Sequence, residues 1–342
     1  MTNTKYEINN NEKFITIKIL LMQALTIGTA NKKSFEKDDR KKLEAKILQS
    51  ARTNRLKRGN GEDSPRTRNF ELLGVSIDNV TMGDALDSVM QSLNQVQVRT
   101  KAKIFSFVNA DCVNLYTKDK KYRNILNSNY RVFADGVGVR IAAKWAGEII
   151  KDNVNGTDLF PLLCEKLCAE KKRVFLYGAK PQVVKAVVQR LNSEFPGLKV
   201  VGYQDGYQNS DNPEMICTAI NRSEADIVFV ALGAPRQEKW IAANQHLLNV
   251  KAVMGVGGLF DFYSGAVSRA PFWLRKHSLE WVWRLIQQPQ DKARRYLIGN
   301  PVFLIRVFNS AFLSKIPTQF EKWLSIQNQK EDSRTNKIFR IQ

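Results

Sequence analysis

The stretch Arg131-Val-Phe-Ala-Asp-Gly-Val-Gly138 contains the pattern from which the fold is predicted. Its apolar first half predicts a short buried strand, and the glycines after Asp135 predict a tight turn into a helix. Asp135 therefore follows the carboxyl end of a strand. In open sheets of parallel strands, ligands bind at this end.

The same alternation of apolar runs and helical stretches extends to both sides of this segment. Strands are predicted at 104–109, 131–134, 174–177, 199–203, 227–231 and 252–256. Helices are predicted at 113–126, 139–145, 159–170, 183–195, 214–221 and 237–246. Short strands separated by helical stretches of about 10–15 residues predict an α/β fold, a mainly parallel Rossmann-like sheet with helices on both faces.

The charge of the chain is unusual. Its 342 residues include 53 Lys and Arg against 33 Asp and Glu, a net charge of +20. This excess predicts an anionic partner: a nucleic acid, an acidic membrane or a phosphorylated substrate. The excess lies at the ends, because residues 1–69 carry +8, residues 70–268 only +3, and residues 269–342 carry +9. No nucleic-acid motif accompanies the basic ends, so a specific nucleic-acid partner is disfavoured. Nucleic-acid binding is kept as the less favoured alternative.

These changes in composition predict four parts. They are a basic, disordered leader at 1–69, an α/β domain at 70–268, a basic helical appendage at 269–315 and a polar tail at 316–342. We expect a chain ended after Ser268 to keep its fold.

The appendage combines aromatic residues with cations. Four aromatic residues, Trp273, Trp281, Trp283 and Tyr296, are interleaved with six Arg and Lys residues. This pattern is typical of a helix lying in the plane of an anionic membrane. The alternative is a pair of solvated basic helices packed on the α/β domain. The apolar run at 301–313 is too short to span a bilayer, which needs about 20 residues.

Several classes of site are disfavoured by residue counts and missing motifs. Two histidines and four scattered cysteines argue against a metal site and against a disulfide framework, and they favour a reducing compartment. Neither G-x-G-x-x-G nor G-x-x-x-x-G-K-[ST] occurs, so a standard NAD site and a P-loop are disfavoured. A nucleotide diphosphate bound in another arrangement stays open.

Candidate polar residues follow the predicted strands. Asp135 is either a general base or the cap of the following helix, and both interpretations stay open. Asn109 and Asp111, at the end of the preceding strand, fit either ligand contacts or turn chemistry. Before the helix at 159–170, Thr157 or Asp158 is the expected cap.

Two further strand ends carry candidate residues. Arg236, at the start of a helix after a strand, is a candidate phosphate ligand. Glu238, in the same first turn, is expected to be exposed and to be explained by the helix dipole. Asp261 follows the glycine pair at 257–258 and lies among aromatic residues, which suggests a specific acceptor for a ribose or base.

Seven motifs occur in order between about Phe70 and Val307. They are Asn109, Ala134-Asp-Gly-Val-Gly138, Asn155-Gly-Thr-Asp-Leu159, Leu232-Gly-Ala-Pro-Arg-Gln-Glu238, Val256-Gly-Gly-Leu-Phe-Asp261, Arg269-Ala-Pro271 and Glu280-Trp-Val-Trp-Arg284. In this combination the chain resembles the WecG/TagA/CpsF family of glycosyltransferases.

The resemblance implies a metal-independent, inverting glycosyltransferase that needs no cofactor. It would move N-acetylmannosamine or a related hexose from a UDP-sugar to a saccharide on undecaprenyl diphosphate, in the synthesis of a cell-surface polysaccharide. The enzyme would be cytoplasmic and peripherally bound to the inner face of the membrane, and homo-oligomer formation stays open. The alternative is a scaffold that binds nucleotide sugars without turnover.

The resemblance also implies roles for individual residues. Asp135 matches the catalytic base of the family. Asn109 and Gln237 match polar residues of the sugar-nucleotide pocket, and Asp261 matches an acid near the uridine. These assignments agree with the predicted positions at the carboxyl ends of strands.

Basic residues are implied over the active site. Arg284 and Arg294 match residues that the appendage contributes, and with Arg236 they would stabilise the departing UDP. Phe107 stands where many members have Thr, and Asp291 stands where a basic residue is expected. The first departure removes a polar contact, and the second removes a charge unless Lys292 replaces it.

Overall fold

The computed structural model describes residues 69–95, 101–208, 210–277 and 279–312. All of them belong to the second of two compact units, residues 66–342. The expected tail at 316–342 and the expected leader, except Asn69, lie outside the described residues, so these two predictions stay predictions.

The described chain begins with a hairpin and then alternates strands and helices. The strands are β1 (Asn69–Leu72), β2 (Val75–Asp78), β3 (Lys103–Val108), β4 (Arg131–Ala134), β5 (Arg173–Gly178), β6 (Lys199–Gln204), β7 (Ile227–Ala231) and β8 (Ala252–Gly255). The helices are α1 (Met82–Asn94), α2 (Ala110–Lys118), α3 (Lys120–Asn127), α4 (Val137–Trp145), α5 (Gly156–Ala169), α6 (Pro181–Glu194), α7 (Pro213–Arg222), α8 (Arg236–Asn244), α9 (Leu259–Tyr263), α10 (Phe272–Lys276), α11 (Glu280–Gln287), α12 (Pro289–Ala293) and α13 (Asn300–Phe312). A 3₁₀ turn at Gln245–Leu247 follows α8, and a π-helical turn at Arg294–Gly299 joins α12 to α13.

One sheet contains all eight of these strands, in the order β1-β2-β4-β3-β8-β7-β5-β6. Only β1 and β2 pair antiparallel, and each other described pair is parallel. The predicted α/β fold with a mainly parallel sheet is confirmed. Because the strands from β2 to β8 run the same way, their carboxyl ends meet at one edge.

Helices cover both faces of the sheet, as β7 shows. Val228 and Val230 face a cluster that includes Ile241 of α8. Phe229, which points to the opposite face, packs edge to face on Phe160 of α5 with ring centroids 5.0 Å apart. Both faces are buried, which explains why β7 is apolar at every position.

Two strands and a helix precede the first strand predicted from the sequence. β1 and β2 form a hairpin through Leu73 and Gly74, both with positive φ, and α1 follows. The signal for α1 was available, because Thr81 and Asp84 form a reciprocal capping box. The helix predicted at 113–126 is two helices, because Asp119 ends α2 and its Oδ1 accepts from the backbone N–H of Tyr122 at 3.0 Å to cap α3.

The C-terminal helix α13 is part of the core. Phe303 is fully buried, and with Val307 it joins the cluster of Val108 and Val139. The Asn114 side chain donates to the carbonyl oxygen of Gly299 at 2.8 Å, just before α13. A chain ended after Ser268 would uncover this cluster, and whether it keeps its fold stays a prediction.

Candidate active site

The carboxyl ends of β4, β3, β8 and β7 lie side by side, and the candidate residues follow these four strands. Val108 of β3 and Ala134 of β4 form the last pair in their parallel register. The next residues, Asn109 and Asp135, are therefore neighbours. The backbone N–H of Asp135 donates to the Val108 carbonyl at 2.9 Å, which holds the two strand ends together.

Asn109 combines the two roles that the sequence left open. Its Oδ1 accepts from the backbone N–H groups of Asp111 at 3.1 Å and Cys112 at 3.2 Å, so it caps α2. Its side chain is also hydrogen-bonded to the Asp135 carboxyl group. Because the oxygen already faces backbone donors, the amide nitrogen donates to the carboxylate. Turn chemistry therefore orients Asn109 toward the candidate base.

Asp135 is not the cap of α4. That position belongs to Gly136, whose φ of +93° favours glycine, and no side chain of the described residues caps the helix. The backbone N–H of Gly136 donates to Oδ1 of Asn153 at 2.6 Å, which fixes the turn. The helix-cap interpretation of Asp135 is wrong.

The environment of Asp135 suits a proton acceptor. Burial raises the pKa of its carboxyl group, Arg284 and Arg295 oppose that rise, and Glu280 adds to it. A carboxylate with a raised pKa is a stronger base than one in water, and facing cations favour its ionised form. The described geometry therefore permits general-base chemistry at Asp135.

The appendage places two arginines at this edge, and one differs from the residue matched in the sequence. Arg284 of α11 lies over the ring of Phe262 at 4.1 Å from its centroid. Arg295 is half-buried, with its Nε 3.6 Å from Oδ2 of Asp111, whereas Arg294 is exposed. The structure brings Arg284 to Asp135 and places Arg295 where Arg294 was expected.

Asp261 lies in α9, beyond the end of β8, and faces three cations. Burial raises the pKa of its carboxyl group, and Lys292, Lys180 and Arg284 oppose that rise. Burial and the nearby arginines lower the pKa of Lys292. Asp291 is exposed. Of these two neighbours, Lys292 is therefore the one that faces Asp261.

Gln237 and Glu238 are both buried at the start of α8, 4% and 2% exposed. The expectation that Glu238 is exposed is wrong. Oε1 of Gln237 accepts from the backbone N–H of Gly257 at 2.9 Å, and its Nε2 donates to Oε1 of Glu238 at 2.8 Å. Gln237 thus connects the ends of β7 and β8. Burial raises the pKa of Glu238, which the hydrogen bond from Gln237 opposes.

Arg236 and Phe107 are the two remaining candidates from the sequence. Arg236 is exposed, and its charge opposes the burial that raises the pKa of Tyr177 to about 12. Phe107 is half-buried, with its ring 5.7 Å from that of Phe133 and against Gly156 at the start of α5. Phe107 thus contributes an apolar wall in place of a hydroxyl group.

The start of α5 connects the appendage to the domain. Asn155 caps the helix, since its Oδ1 accepts from the backbone N–H of Asp158 at 2.9 Å, so the expectation of Thr157 or Asp158 as the cap is wrong. Oδ1 of Asp158 pairs with Nη2 of Arg269 at 2.7 Å. The pair ties the Arg269-Ala-Pro271 motif to the start of α5.

Among the described residues, no group of three or more His, Cys, Asp or Glu side chains is arranged to hold a metal ion. None of the described helices is long and apolar enough to cross a bilayer. The absence of a metal from the reaction stays a prediction.

The fold and site define the class of protein. A doubly wound sheet carries, at one edge, a partly buried carboxylate that faces arginines contributed by a C-terminal segment, which is suited to transferring a group away from an anionic carrier. The chain belongs to the Glycosyl transferase WecG/TagA/CpsF family, which it matches over residues 70–316. The protein is thus a glycosyltransferase of this family.

The chain is similar to curated proteins named N-acetylglucosaminyldiphosphoundecaprenol N-acetyl-beta-D-mannosaminyltransferase. It is 39% identical to that of Bacillus subtilis (strain 168) over 186 residues, 54% of this chain and 72% of the relative. It is 38% identical to that of Bacillus spizizenii over 200 residues, 58% and 76% of the two chains. It is 28% identical to that of Staphylococcus aureus (strain MW2) over 251 residues, 72% and 94% of the two chains.

Proposed function

We propose that this protein transfers N-acetylmannosamine, or a related hexose, from a UDP-sugar to a saccharide carried on undecaprenyl diphosphate. The acceptor is the one in the names of its relatives, and the product would enter a cell-surface polysaccharide. The observation that carries the proposal is Asp135, held by Asn109 and facing Arg284 and Arg295 where four strand ends meet.

The proposed reaction is a single displacement with inversion. The acceptor hydroxyl oxygen attacks the anomeric carbon and forms the new glycosidic bond, while its proton passes to the Asp135 carboxylate. The bond from the anomeric carbon to UDP breaks, and its electron pair leaves with the β-phosphate. Arg284, Arg295 and Lys292 stabilise that negative charge, so the proposal requires no metal ion.

The donor nucleotide is proposed to lie at residues 257–262. Gly257 and Gly258 allow close approach of a ligand to the backbone, and Asp261 offers an acceptor for ribose hydroxyls or the uracil N–H. Arg284 acts on both Asp261 and Asp135, so a diphosphate between the nucleoside and Asp135 would lie beside it.

Membrane docking is proposed through the exposed faces of α4 and α13. Exposed apolar side chains cover both helices and the π-helical turn between α12 and α13: Ile141, Trp145, Leu297, Ile298, Ile305, Phe308 and Phe312. Exposed Arg140, Lys144 and Arg294 accompany them, which fits an anionic lipid surface.

The tryptophans of the appendage are divided, because Trp273 is exposed whereas Trp281 and Trp283 are not free to meet a membrane. Nε1 of Trp283, a buried residue, donates to the carbonyl oxygen of Ser268 at 3.1 Å. Trp281 packs on Tyr296 with ring centroids 5.9 Å apart. Both of these indoles therefore have partners within the protein, which agrees with the alternative of packed helices for this part of the appendage.

The decisive experiment is a donor screen with the full chain and a short-chain lipid-diphosphate N-acetylglucosamine acceptor. UDP release should require both substrates, persist in excess chelator, and give a product whose anomeric configuration is opposite to that of the donor. Asp135→Asn should abolish transfer while UDP binding persists. Failure of every UDP-sugar to react would contradict the proposal, and UDP binding without turnover would favour the scaffold alternative.

A further inference from the structure

Gln237 is held at both ends of its amide group. Its oxygen accepts from the Gly257 N–H at 2.9 Å, and its nitrogen donates to Glu238 at 2.8 Å. A backbone N–H requires an acceptor, and a carboxylate requires a donor, so only one orientation of the amide satisfies both neighbours. Glu238 thereby determines which atom of Gln237 faces Gly257.

The end of β8 leaves space for this arrangement. A Cβ atom added to Gly255 would lie 2.8 Å from Nε2 of Gln237, closer than side-chain packing allows. Gln237 therefore lies directly on the strand end, in a space that only glycine provides. The turn at Gly257 follows, then Asp261 in α9.

Glu238 is not explained by stability. It is 2% exposed, and among the described residues its Oε2 has no hydrogen-bond partner. Burying a carboxyl oxygen without a partner costs free energy, and such groups in native structures call for a functional explanation. A first-turn acid needed only for the helix dipole would remain in solvent.

We propose that Glu238 is a positioning residue for the sugar nucleotide, acting through Gln237 to fix the Gly257 turn and thus the direction of Asp261. This inference rests on the proposed function, because that proposal places the nucleotide at residues 257–262. Glu238 touches no reacting atom. Its effect should therefore appear in donor binding and in the order of the turn.

The first test compares two substitutions of similar size. Glu238→Met removes the acceptor, and Glu238→Gln keeps one. By titration calorimetry with UDP, Glu238→Met should bind about five- to tenfold more weakly than the wild type, as expected for one lost hydrogen bond. Glu238→Gln should recover most of that loss. Equal affinity of Glu238→Met and wild type would overturn the proposal.

A control separates positioning from general destabilisation. Asp226 lies at the opposite edge of the sheet, where its carboxylate accepts from the backbone N–H of Arg173 at 2.8 Å and pairs with Lys251 at 3.4 Å. Asp226→Asn should lower the melting temperature without changing UDP affinity. An equal loss of affinity in this variant would show that Glu238 acts only through stability.

A double-mutant cycle tests the route. If Glu238 acts through Gln237, adding Glu238→Met to Gln237→Ala should weaken UDP binding no further. Additive losses would overturn the route.

Hydrogen exchange tests the same route without ligand. The Gly257 amide should exchange faster in Glu238→Met than in the wild type, whereas Glu238→Gln should stay close to the wild type. Unchanged exchange would overturn the inference. If the wild type failed to bind UDP, the proposed donor would be wrong, and the exchange measurement would still decide the role of Glu238.

Discussion

Arg269, in the segment that follows the last strand, forms an ion pair with Asp158 at the start of α5, with Nη2 and Oδ1 2.7 Å apart. Burial opposes ionisation of Asp158, but the Arg269 guanidinium and the Asn155 side chain hold its pKa below the usual range. The pair therefore ties the start of the appendage to the domain in a way that depends on pH.

We expect Arg269→Met to lower the free energy of unfolding at pH 7 by about 1 kcal/mol, since both partners are only partly buried. Because the folded-state pKa of Asp158 is lowered, the contribution is present above the ordinary value of about 3.9 and is lost as the pH falls through the folded pKa. Urea titrations at pH 7 and at several values below about 3.9 measure the trend. Lys166→Met, which removes an exposed pair with Asp87, is the control and should have little effect.

When the transfer rate is plotted against pH, its fall on the acidic side (the acidic limb) should report the protonation of Asp135. Its pKa is raised by burial, so the rate should fall at a pH above that of an ordinary aspartate. Arg284 opposes the rise, and Arg284→Gln should therefore move the limb to higher pH. Arg284→Lys keeps the charge and should leave the limb near its wild-type position. If the acidic limb did not shift in Arg284→Gln, the ionisation that controls the rate would not be that of Asp135.

Arg295 should matter more than its neighbour Arg294. Arg295 is half-buried near Asp111 and Asp135, whereas Arg294 is exposed. In steady-state assays, Arg295→Gln should reduce kcat/KM at least tenfold, the loss of one charge-assisted contact, and Arg294→Gln should reduce it much less. A larger loss of kcat/KM in Arg294→Gln than in Arg295→Gln would instead support Arg294, the residue that the family resemblance implies.

Asp261→Ala should weaken UDP binding about tenfold or more, as expected for loss of a hydrogen bond to a charged group. Thermal-shift titration with UDP measures the effect, and the melting temperature without ligand reports folding. Asp291→Asn alters a nearby exposed acid and serves as the control. If UDP shifts Asp261→Ala as much as the wild type, the nucleotide lies elsewhere.

Two phenylalanines of α13 should separate folding from membrane docking. Phe303 is fully buried, so Phe303→Ala should cost about 3–5 kcal/mol of stability. Phe308 is exposed against Trp145, at 6.4 Å between ring centroids, so Phe308→Ser should leave stability nearly unchanged.

Phe308→Ser should, however, reduce sedimentation with anionic vesicles at low salt. Unchanged sedimentation would contradict the proposed lipid surface. A shift of Phe308→Ser from oligomer to monomer in analytical ultracentrifugation would instead identify the surface as a contact between copies.

The sequence alone determined the central strands and most of the candidate residues at their carboxyl ends. The strand at 227–231 was predicted with its observed bounds, because five buried residues in succession are a local pattern that both sheet faces require. The positions of Asn109, Asp135 and Asp261 just after strands were also predicted from local sequence. Glycine and polar turn residues mark the end of a strand within a few positions.

Only the tertiary structure decided which side chains meet. The π-helical turn places Arg295 at the site and leaves Arg294 in solvent, and adjacent residues in a basic run carry no signal for such a rotation. Glu238 is buried because it packs with Gln237 against the end of β8, and α13 completes a core begun about two hundred residues earlier. Periodicity records which residues avoid water within one element, whereas partners across the sheet are chosen by packing that no local pattern contains.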